Sequence, residues 1–430
     1  MEMLLVIFTI YVIAGTMLAN RPRLAALLVL FCSTLEINLF SIEGFNLSIA
    51  ELSALLLVCG WMIRFLYRME PVHNSRFEII LLLLFLSFLL PSLLTLNPVL
   101  ALLQTLKLLL FMSSAYFIVR SFHTDQAAGI YLLCLYATLA IAFPLALVQV
   151  LNQPEDATLH LSGGFLDWNY FPIYLALLLP FLRYEMTQHT IPWKRILLFI
   201  VSVIIAIVGV AAKSRSGTAM IVLSIMLLVF LDEHYRIRWH WLTLFVFVLL
   251  LIFTAGAAFS DVPLAERFQI WLISPKMQER LQNNLLCLNV FLEHPLLGVG
   301  VGQYPAYLEW KEISTPYPVM RYHSSLFLLL AETGIPGAMM WFFFLVHLFT
   351  LTLEEPTFQT CGLRRAVSLA IIILIASSLL YSIHENLFTW CLIGLLYSLI
   401  TRRSVPEQNM NAQPVKYKIE RSDCQTDLPA

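Results

Sequence analysis

Long apolar runs alternate with short polar stretches along this chain. The runs repeatedly reach the ~20 residues that a helix needs to cross a hydrocarbon core of ~30 Å. They are continuous, without the period-two alternation of a membrane barrel, and this favours helices. The pattern predicts an all-α fold, a polytopic membrane helix bundle of about twelve or thirteen transmembrane helices. The predicted spans lie near residues 1–19, 24–41, 48–67, 78–95, 99–119, 127–151, 168–183, 194–212, 216–231, 239–259, 323–352, 366–383 and 387–402.

Composition agrees with a membrane protein and excludes several other classes. Of the 430 residues, 60% are hydrophobic and only 12% are charged, so a soluble domain would lack the polar surface it needs. The formal net charge is −1 and no basic tract is present, which argues against a nucleic-acid partner. The seven cysteines form no CxxC pair and predict neither a disulfide framework nor a metal site. The N-terminal run lacks a basic region and is interpreted as the first helix instead of a cleaved signal peptide.

Arginines and lysines in the short loops set the predicted orientation. Alternate loops and the C-terminal tail carry most of them, and such loops lie on the cytoplasmic side. We therefore predict a multi-pass inner-membrane protein, with one membrane domain over residues 1–402 and a disordered cytoplasmic tail over 403–430. The basic loop residues are Arg21, Arg23, Arg64, Arg68, Arg76, Arg120, Arg183, Lys194, Arg195, Arg236, Arg238, Arg364 and Arg365.

One long polar segment, residues 260–322, falls on the opposite, periplasmic side in this orientation. Four leucines within it recur at helical spacing and predict an amphipathic helix over 277–293, which ends at His294-Pro295. Three glycines then predict a turn. The segment also holds five basic residues, which indicate an anionic ligand, although a solvated surface would explain part of them. The leucines are Leu281, Leu285, Leu288 and Leu292; the glycines are Gly298, Gly300 and Gly302; the basic residues are Arg267, Lys276, Arg280, Lys311 and Arg321.

The chain returns to apolar sequence with His323-Ser324, then nine residues, then Gly334-x-x-Gly337. This arrangement resembles the O-antigen ligase and polymerase family of envelope polysaccharide assembly, whose ligases carry His-[Asn/Ser/Gln]-x9-Gly-x-x-Gly at the end of a large periplasmic loop. Three further stretches resemble the same family, and together the resemblance covers residues 160–400. They are ERLQNNLLCLNVFLEHPLLGVGVGQY (279–304) with Arg280, KSRSGTAM (213–220) with Lys213 and Arg215, and GGFLDWNYFPIYLALLLP (163–180) with Asn169.

The resemblance implies a glycosyltransferase that takes its glycan from a polyprenyl (undecaprenyl) diphosphate and passes it to a glycolipid or glycan acceptor. His323 would be the catalytic base, because an imidazole titrates near working pH. Arg215, Arg280, Lys213 and Arg321 would bind the diphosphate, since forked guanidinium groups grip phosphate oxygens. No metal or other cofactor is expected, because these cations would replace a metal ion at the leaving group.

Each candidate also has a purely structural interpretation. His323 would then be an interfacial histidine, Arg215 a side chain snorkelling to the membrane surface, and Arg280 a solvated charge. Ser324 is interpreted first as an N-terminal helix cap. Gly334 and Gly337 are interpreted as packing or kink residues, next to Pro336.

Three more ionisable sites within or beside the spans are ambiguous. Lys107 lies in the middle of a span, and a structural ion pair with Glu36 or Glu51 is favoured over a functional role. Glu332 and the His384-Glu385 pair either line a cavity that the long loop is expected to cap and that admits lipid from the side, or make structural hydrogen bonds.

Within the family, the complete motif favours a ligase that transfers a finished polysaccharide to the lipid A core. An O-antigen or exopolysaccharide polymerase is the alternative, and a protein-glycosylating relative stays open. A secondary transporter or lipid-linked glycan flippase is the rival from another class. That rival predicts inverted repeats, broken helices and paired membrane acids, with short loops on both sides, whereas this chain has one loop of ~60 residues rich in cations.

Overall fold

A computed structural model describes most of the chain, apart from several gaps. The described residues are 14, 16–18, 21–33, 35, 38–42, 45–68, 76–122, isolated positions between 136 and 148, 169–211, 214–230, 275–313, 324–354 and 361–400. The predicted tail over 403–430 and parts of the long loop lie outside these residues.

Twelve helices, one short 3-10 turn and one two-stranded sheet make up the described fold. In chain order they are α1 Pro22–Cys32, β1 Asn38–Ile42, β2 Phe45–Ser48, α2 Ile49–Arg68, α3 Arg76–Leu93, α4 Pro98–Ser121, α5 Tyr170–Gln188, α6 Pro192–Ala211, α7 Arg215–Phe230, α8 Pro275–Glu293, α9 Tyr304–Trp310, α10 Ser325–Glu354, α11 Cys361–Leu380, the 3-10 turn Ile383–Glu385 and α12 Leu387–Ile400.

The helices confirm a polytopic helical membrane protein. Six of those described, namely α2, α3, α4, α6, α10 and α11, are long and apolar enough to cross a membrane. Three shorter apolar helices, α1, α7 and α12, also match predicted spans. The predicted span 168–183 corresponds to α5, which continues to Gln188. The predicted spans 1–19, 127–151 and 239–259 fall largely or wholly outside the described residues.

The predicted span over 24–41 is wrong in its second half. Helix α1 ends at Cys32, and β1 pairs antiparallel with β2, with Ile42 opposite Phe45. The sequence from Leu35 to Ser48 alternates apolar and polar residues with period two around Glu43-Gly44, apart from the adjacent Leu39 and Phe40, where the strand register shifts; this is a hairpin pattern. High mean hydropathy concealed this alternation from a search for long apolar runs.

Two groups of helices form the bundle around a shared core. Helix α12 packs along α4 and touches α1, while α5 packs against α6, α7 and α11. Every residue from Phe171 to Leu182 of α5 is buried, as expected of a helix that is apolar on all sides. Helix α10 links the groups by packing on both α3 and α11. Aromatic rings fill the centre, where Trp341 and Trp390 lie with centroids 5.3 Å apart.

An ion pair inside the bundle joins α4 to α2. Lys107 Nζ contacts Glu51 Oε1, so the structural pairing favoured from the sequence is present. Glu51 also accepts a hydrogen bond from the Ser48 backbone N–H at 2.7 Å, and the Ser48 hydroxyl accepts one from the Glu51 N–H at 3.3 Å. This capping box ends the hairpin and begins α2. One carboxylate therefore caps a helix and neutralises the half-buried lysine.

A close contact between two helix backbones generates a prediction about stability. A Cβ added at Gly394 of α12 would lie 2.5 Å from the Ala115 carbonyl oxygen of α4, a backbone atom that cannot move aside. We expect Gly394→Leu to lower the free energy of unfolding by about 1–3 kcal/mol or more, through overpacking. Thermal unfolding of the purified protein in detergent measures the loss. Gly362→Leu is the matched control, since the Cβ there would meet side chains instead of backbone, namely the Tyr184 ring at 3.2 Å and the Thr187 hydroxyl at 3.8 Å. Equal melting temperatures for the two variants would contradict the packing argument.

Candidate functional site

The predicted loop helix is present as α8 and lies against α10. Its contact face is not the predicted leucine stripe, because Leu281, Leu285 and Leu292 are 59%, 50% and 66% exposed. The packed face instead carries Cys287 and Val290, which form a small second core with residues of α9 and α10: Tyr304, Tyr307, Leu308, Leu328 and Ala331. Burial raises the pKa of the Cys287 thiol to about 12, so this thiol is a core group and not a nucleophile.

The turn after α8 pairs its backbone with a break in α10. Gly334 has φ 65° and ψ −163°, and the helix is interrupted there. The Val299 N–H donates to the Ala331 carbonyl at 2.9 Å, and the Gly300 N–H donates to the Glu332 carbonyl at 2.8 Å. In return, the Ile335 N–H donates to the Pro295 carbonyl at 3.0 Å. The turn therefore supplies partners for the backbone groups that the break leaves unpaired.

Glycine is required on both sides of this contact. Gly298 has φ +64°, and a Cβ there would lie 2.3 Å from the Glu332 carbonyl carbon. A Cβ at Gly334 would lie 2.6 Å from the Leu296 carbonyl carbon. The two backbones approach too closely for any side chain, and left-handed backbone adds to the requirement. A Cβ at Gly337 would meet the Thr333 side chain one turn earlier in α10.

Polar groups are enclosed beneath the turn. Glu332 is 1% exposed, and its Oε1 lies 3.5 Å from the Tyr304 N–H at the start of α9, where a helix N-terminus favours a carboxylate. Gln303 is also 1% exposed, and neither atom of its side-chain amide has a hydrogen-bond partner among the described residues. Ser92 at the end of α3 accepts a hydrogen bond from the Val301 N–H at 3.4 Å. We call the end of the bundle where this turn lies the loop end.

Asn169 joins two of the other motif stretches at the N-terminus of α5. Its amide is 3% exposed; Oδ1 accepts a hydrogen bond from the Ser214 hydroxyl at 2.6 Å, and Nδ2 donates to the Tyr381 hydroxyl at 3.3 Å. Ser214 in turn accepts from the Gly217 N–H at 3.0 Å, which caps the first turn of α7. Asn169 thus fixes the start of α7, where Arg215 is the first helical residue.

The segment that follows His323 reaches the same network. The Ser325 hydroxyl donates to the Tyr381 carbonyl at 2.9 Å, so its oxygen accepts from His384 Nδ1–H at 3.0 Å. His384 is fully enclosed, and burial lowers its pKa to about 3, which keeps the ring neutral. Ser324 is buried, and its carbonyl accepts the Leu328 N–H as a helix cap residue does. Its hydroxyl has no partner within the described part of the chain.

The structure describes the proposed chemical groups only in part. His323, Arg321 and Lys213 lie outside the described residues. Arg215 is described by its backbone alone, and Arg280 lies on α8 with a half-buried side chain. The described residues next to these candidates in the chain do lie close together. They are Ser214, which precedes Arg215, and Ser324 and Ser325, which follow His323. Asn169, Ser214, Tyr381 and Ser325 form one continuous hydrogen-bonded chain at the loop end.

Sequence analysis missed three members of this network. Ser214 lies inside the quoted KSRSGTAM stretch, and Ser325 follows the His-Ser motif, so both were within reach. Tyr381 had no detectable signal, because its partner Asn169 is 212 residues away.

The fold and the site together define a polytopic helical membrane protein with a loop helix anchored over one end of its bundle. Residues 198–342 match the family model of the O-antigen ligases. The match covers a third of the chain and includes every candidate site residue except Asn169. It confirms the resemblance that the motifs carry and supports the O-antigen ligase family for this chain. No curated protein matches the sequence.

The close backbone contact at the turn generates a second prediction. Gly298→Val should separate residues 295–300 from the break in α10, because the new side chain would occupy the Glu332 backbone. We expect faster amide exchange at Val299, Gly300 and Ile335, which lose their acceptors, and no change in helix α12. Hydrogen–deuterium exchange of the full chain in detergent measures this. Leu296→Ala is the control, since Leu296 is 71% exposed; similar exchange in both variants would contradict the anchoring role of Gly298.

Asn169 generates a third prediction. Asn169→Ala removes the acceptor of the Ser214 hydroxyl and the amide donor to the Tyr381 hydroxyl, and we expect a loss of about 0.5–1.5 kcal/mol for each of these two hydrogen bonds. Asn169→Asp keeps the acceptor for Ser214 and loses the donor to Tyr381, but an ionised carboxylate would be costly to bury at this position. At a pH low enough to protonate the carboxyl group, its melting temperature should therefore lie between those of the parent and the alanine variant. An aspartate variant less stable than the alanine variant would contradict the assigned hydrogen-bond directions.

Proposed function

We propose that this protein transfers a glycan from a polyprenyl diphosphate to an acceptor on the periplasmic face of the inner membrane. The observation that carries the proposal is the convergence at the loop end. There the starts of α5, α7 and α10 are held by one hydrogen-bonded chain, and α8 is anchored on α10 nearby. Convergence of stretches distant in sequence is expected of an active site and is not needed for membrane insertion alone.

The chemistry follows from the residue types. The acceptor hydroxyl oxygen attacks the anomeric carbon of the donor, and the bond from that carbon to the phosphate oxygen breaks. His323 takes the hydroxyl proton as general base. The diphosphate leaves on its lipid, and Arg215, Arg280, Lys213 and Arg321 stabilise its developing negative charge. The donor is already activated by its diphosphate, so no cofactor is required by this scheme.

The site geometry supports positioning roles for the described motif residues. Asn169 and Ser214 fix the backbone at Arg215, while Ser325, Tyr381 and the neutral His384 fix the backbone next to His323. Small displacements of reacting groups are costly in rate, so such supports matter to catalysis. Gly334 and Gly337 act through the break in α10 and not through contact with substrate.

Among acceptors, we favour the lipid A core, which makes the protein a ligase, as the complete His-Ser-x9-Gly-x-x-Gly motif suggests. Polymerisation onto a second lipid-linked repeat unit is the alternative. The rival transporter or flippase is disfavoured by the anchored loop. A broken helix is itself a feature of transporters, and α10 has one at Gly334. The loop turn, however, is joined to that helix by backbone hydrogen bonds, and the motif stretches converge at the same end of the bundle, which favours the enzyme.

The fourth prediction tests the catalytic base. His323→Ala should reduce glycan transfer by at least about 100-fold, the typical contribution of a general base, while donor export and protein level stay normal. Transfer is measured with membranes carrying each variant and a purified lipid-linked donor. The control is His189→Ala, since His189 ends α5 beside Glu185, where the predicted orientation is cytoplasmic. Full activity of the His323 variant with the same donor would overturn the assignment.

The fifth prediction separates the acceptors. In a strain that lacks this protein, the glycolipid profile should show long glycan retained on polyprenyl diphosphate beside bare lipid A core. Core that carries a single repeat unit would instead indicate a polymerase. An unchanged profile in gels and in polyprenol extracts would contradict both.

A further inference from the structure

Helix α8 has an exposed apolar face in addition to its packed face. Leu281, Leu285 and Leu292 lie on one side of the helix, because they are spaced by four and seven residues, and each is at least half exposed. Cys287 and Val290 of the packed face lie on the opposite side. A helix that covers a protein core in water carries polar residues on its outer side. The leucine face of α8, defined by these three leucines, therefore requires a different surrounding.

A third side of α8 is polar. Gln278, Gln282 and Asn289 are exposed and lie between the leucine face and the packed face. The helix thus presents three sides to three kinds of surrounding, namely protein core, polar solvent and an apolar medium. At a membrane boundary a helix meets all three, since protein, hydrated headgroups and acyl chains lie on different sides of it.

The end of α8 lies close to one boundary of the hydrocarbon core. From Ile335 to Leu353, the part of α10 after the break rises about 27 Å, close to the ~30 Å thickness of such a core. At its far end the Arg364 guanidinium donates a hydrogen bond to the Leu353 carbonyl, which marks a polar boundary there. The break at Gly334 therefore lies near the opposite boundary. The turn that follows α8 pairs with this break, so α8 ends at the same level.

A stripe of exposed apolar side chains runs along α10 after the break, and it begins where α8 ends. Its spacing places it on one face of the helix, and an exposed, wholly apolar face of a membrane span contacts lipid. The Ile335 N–H at its start donates to the Pro295 carbonyl, and the next residue, Leu296, is 71% exposed. Leu292 precedes Leu296 by four residues, so the leucine face of α8 continues the lipid-facing stripe. The stripe consists of Ile335, Met339, Phe343 and Val346.

We propose that the leucine face of α8 inserts into the lipid surface at the loop end, between the headgroups and the first carbons of the acyl chains. The leucine face carries no charge, so the insertion requires apolar contact and no particular headgroup. Under the proposed function, this placement also keeps Arg280 of α8 near the headgroup level, where a lipid-linked diphosphate lies. The insertion itself does not depend on glycan transfer, so either proposal can fail alone.

Spin-label accessibility of the full chain in vesicles of phosphatidylethanolamine and phosphatidylglycerol tests the insertion. The nitroxide is attached to p-acetylphenylalanine, whose ketone leaves the natural cysteines unlabelled. In Leu285→p-acetylphenylalanine we expect frequent collisions with oxygen, which concentrates among acyl chains, and few with a nickel chelate, which stays in water. The ratio of the two collision rates should be several-fold higher than with the same label at Gln282 on the polar side, the matched control. The label at Met339 on the lipid-facing stripe gives the reference ratio for acyl chains.

Two outcomes would overturn the proposal. Frequent collisions with the nickel chelate at Leu285 would place the leucine face in water. Rare collisions with both reagents would show that protein covers this face, either a second copy or another part of the same chain. Melting temperatures identify a variant that fails to fold, and the same label at Leu292, which is also exposed, then repeats the test at a second position of the leucine face.

Discussion

The break in α10 at Gly334 is the constraint on which the site depends. A helix interrupted within an apolar span leaves N–H and C=O groups that lipid cannot satisfy, each at a cost of several kcal/mol. Here the turn after α8 pairs with Ala331, Glu332 and Ile335 through three backbone hydrogen bonds. The loop turn is held in place because the broken helix requires hydrogen-bond partners for its backbone groups. The break is in turn stable only while the loop turn supplies those partners. The two conditions stabilise each other.

This mutual dependence explains why glycines occur in both stretches. Side chains cannot fit between the two backbones. Glycine is therefore required at position 298 on the turn and at position 334 on the helix for the same steric reason. Beneath them, Glu332 accepts from the start of α9 and ties the polar interior to the same contact. Residues far apart in sequence therefore have a common physical cause, and the glycines of the His-Ser-x9-Gly-x-x-Gly motif shape a support for the proposed histidine.

Periodicity and local chemistry were sufficient for much of the fold. Apolar runs located ten helices of the bundle, leucine spacing located α8, and Gly334 with Pro336 indicated the break in α10. The sequence was less informative where two patterns compete. Residues 35–48 are apolar enough to resemble a span, yet Asn38–Ile42 and Phe45–Ser48 pair as strands. Averaging the hydropathy over this stretch hides its period-two pattern. Leucines marked α8 as amphipathic, but Cys287 and Val290 make its packed face.

For the candidate site too, local sequence patterns predicted some residues, while contacts between distant parts of the chain could not be predicted. The motif residues could be predicted as site residues from the sequence, but Tyr381 could not. Its hydroxyl pairs with a residue 212 positions away, and such a pairing produces no periodic pattern in the sequence. Buried polar groups require hydrogen-bond partners that can be distant in sequence. A buried group whose partner is missing or misplaced destabilises the fold. Asn169 satisfies Ser214 and Tyr381 together, so the ends of α5, α7 and α11 must meet at one point. Apolar contacts between helices leave more freedom in register than hydrogen-bonded pairs do, because a displaced buried polar group loses its partner as well as its packing. The polar chain at the loop end removes that freedom where the proposed chemistry needs a fixed geometry.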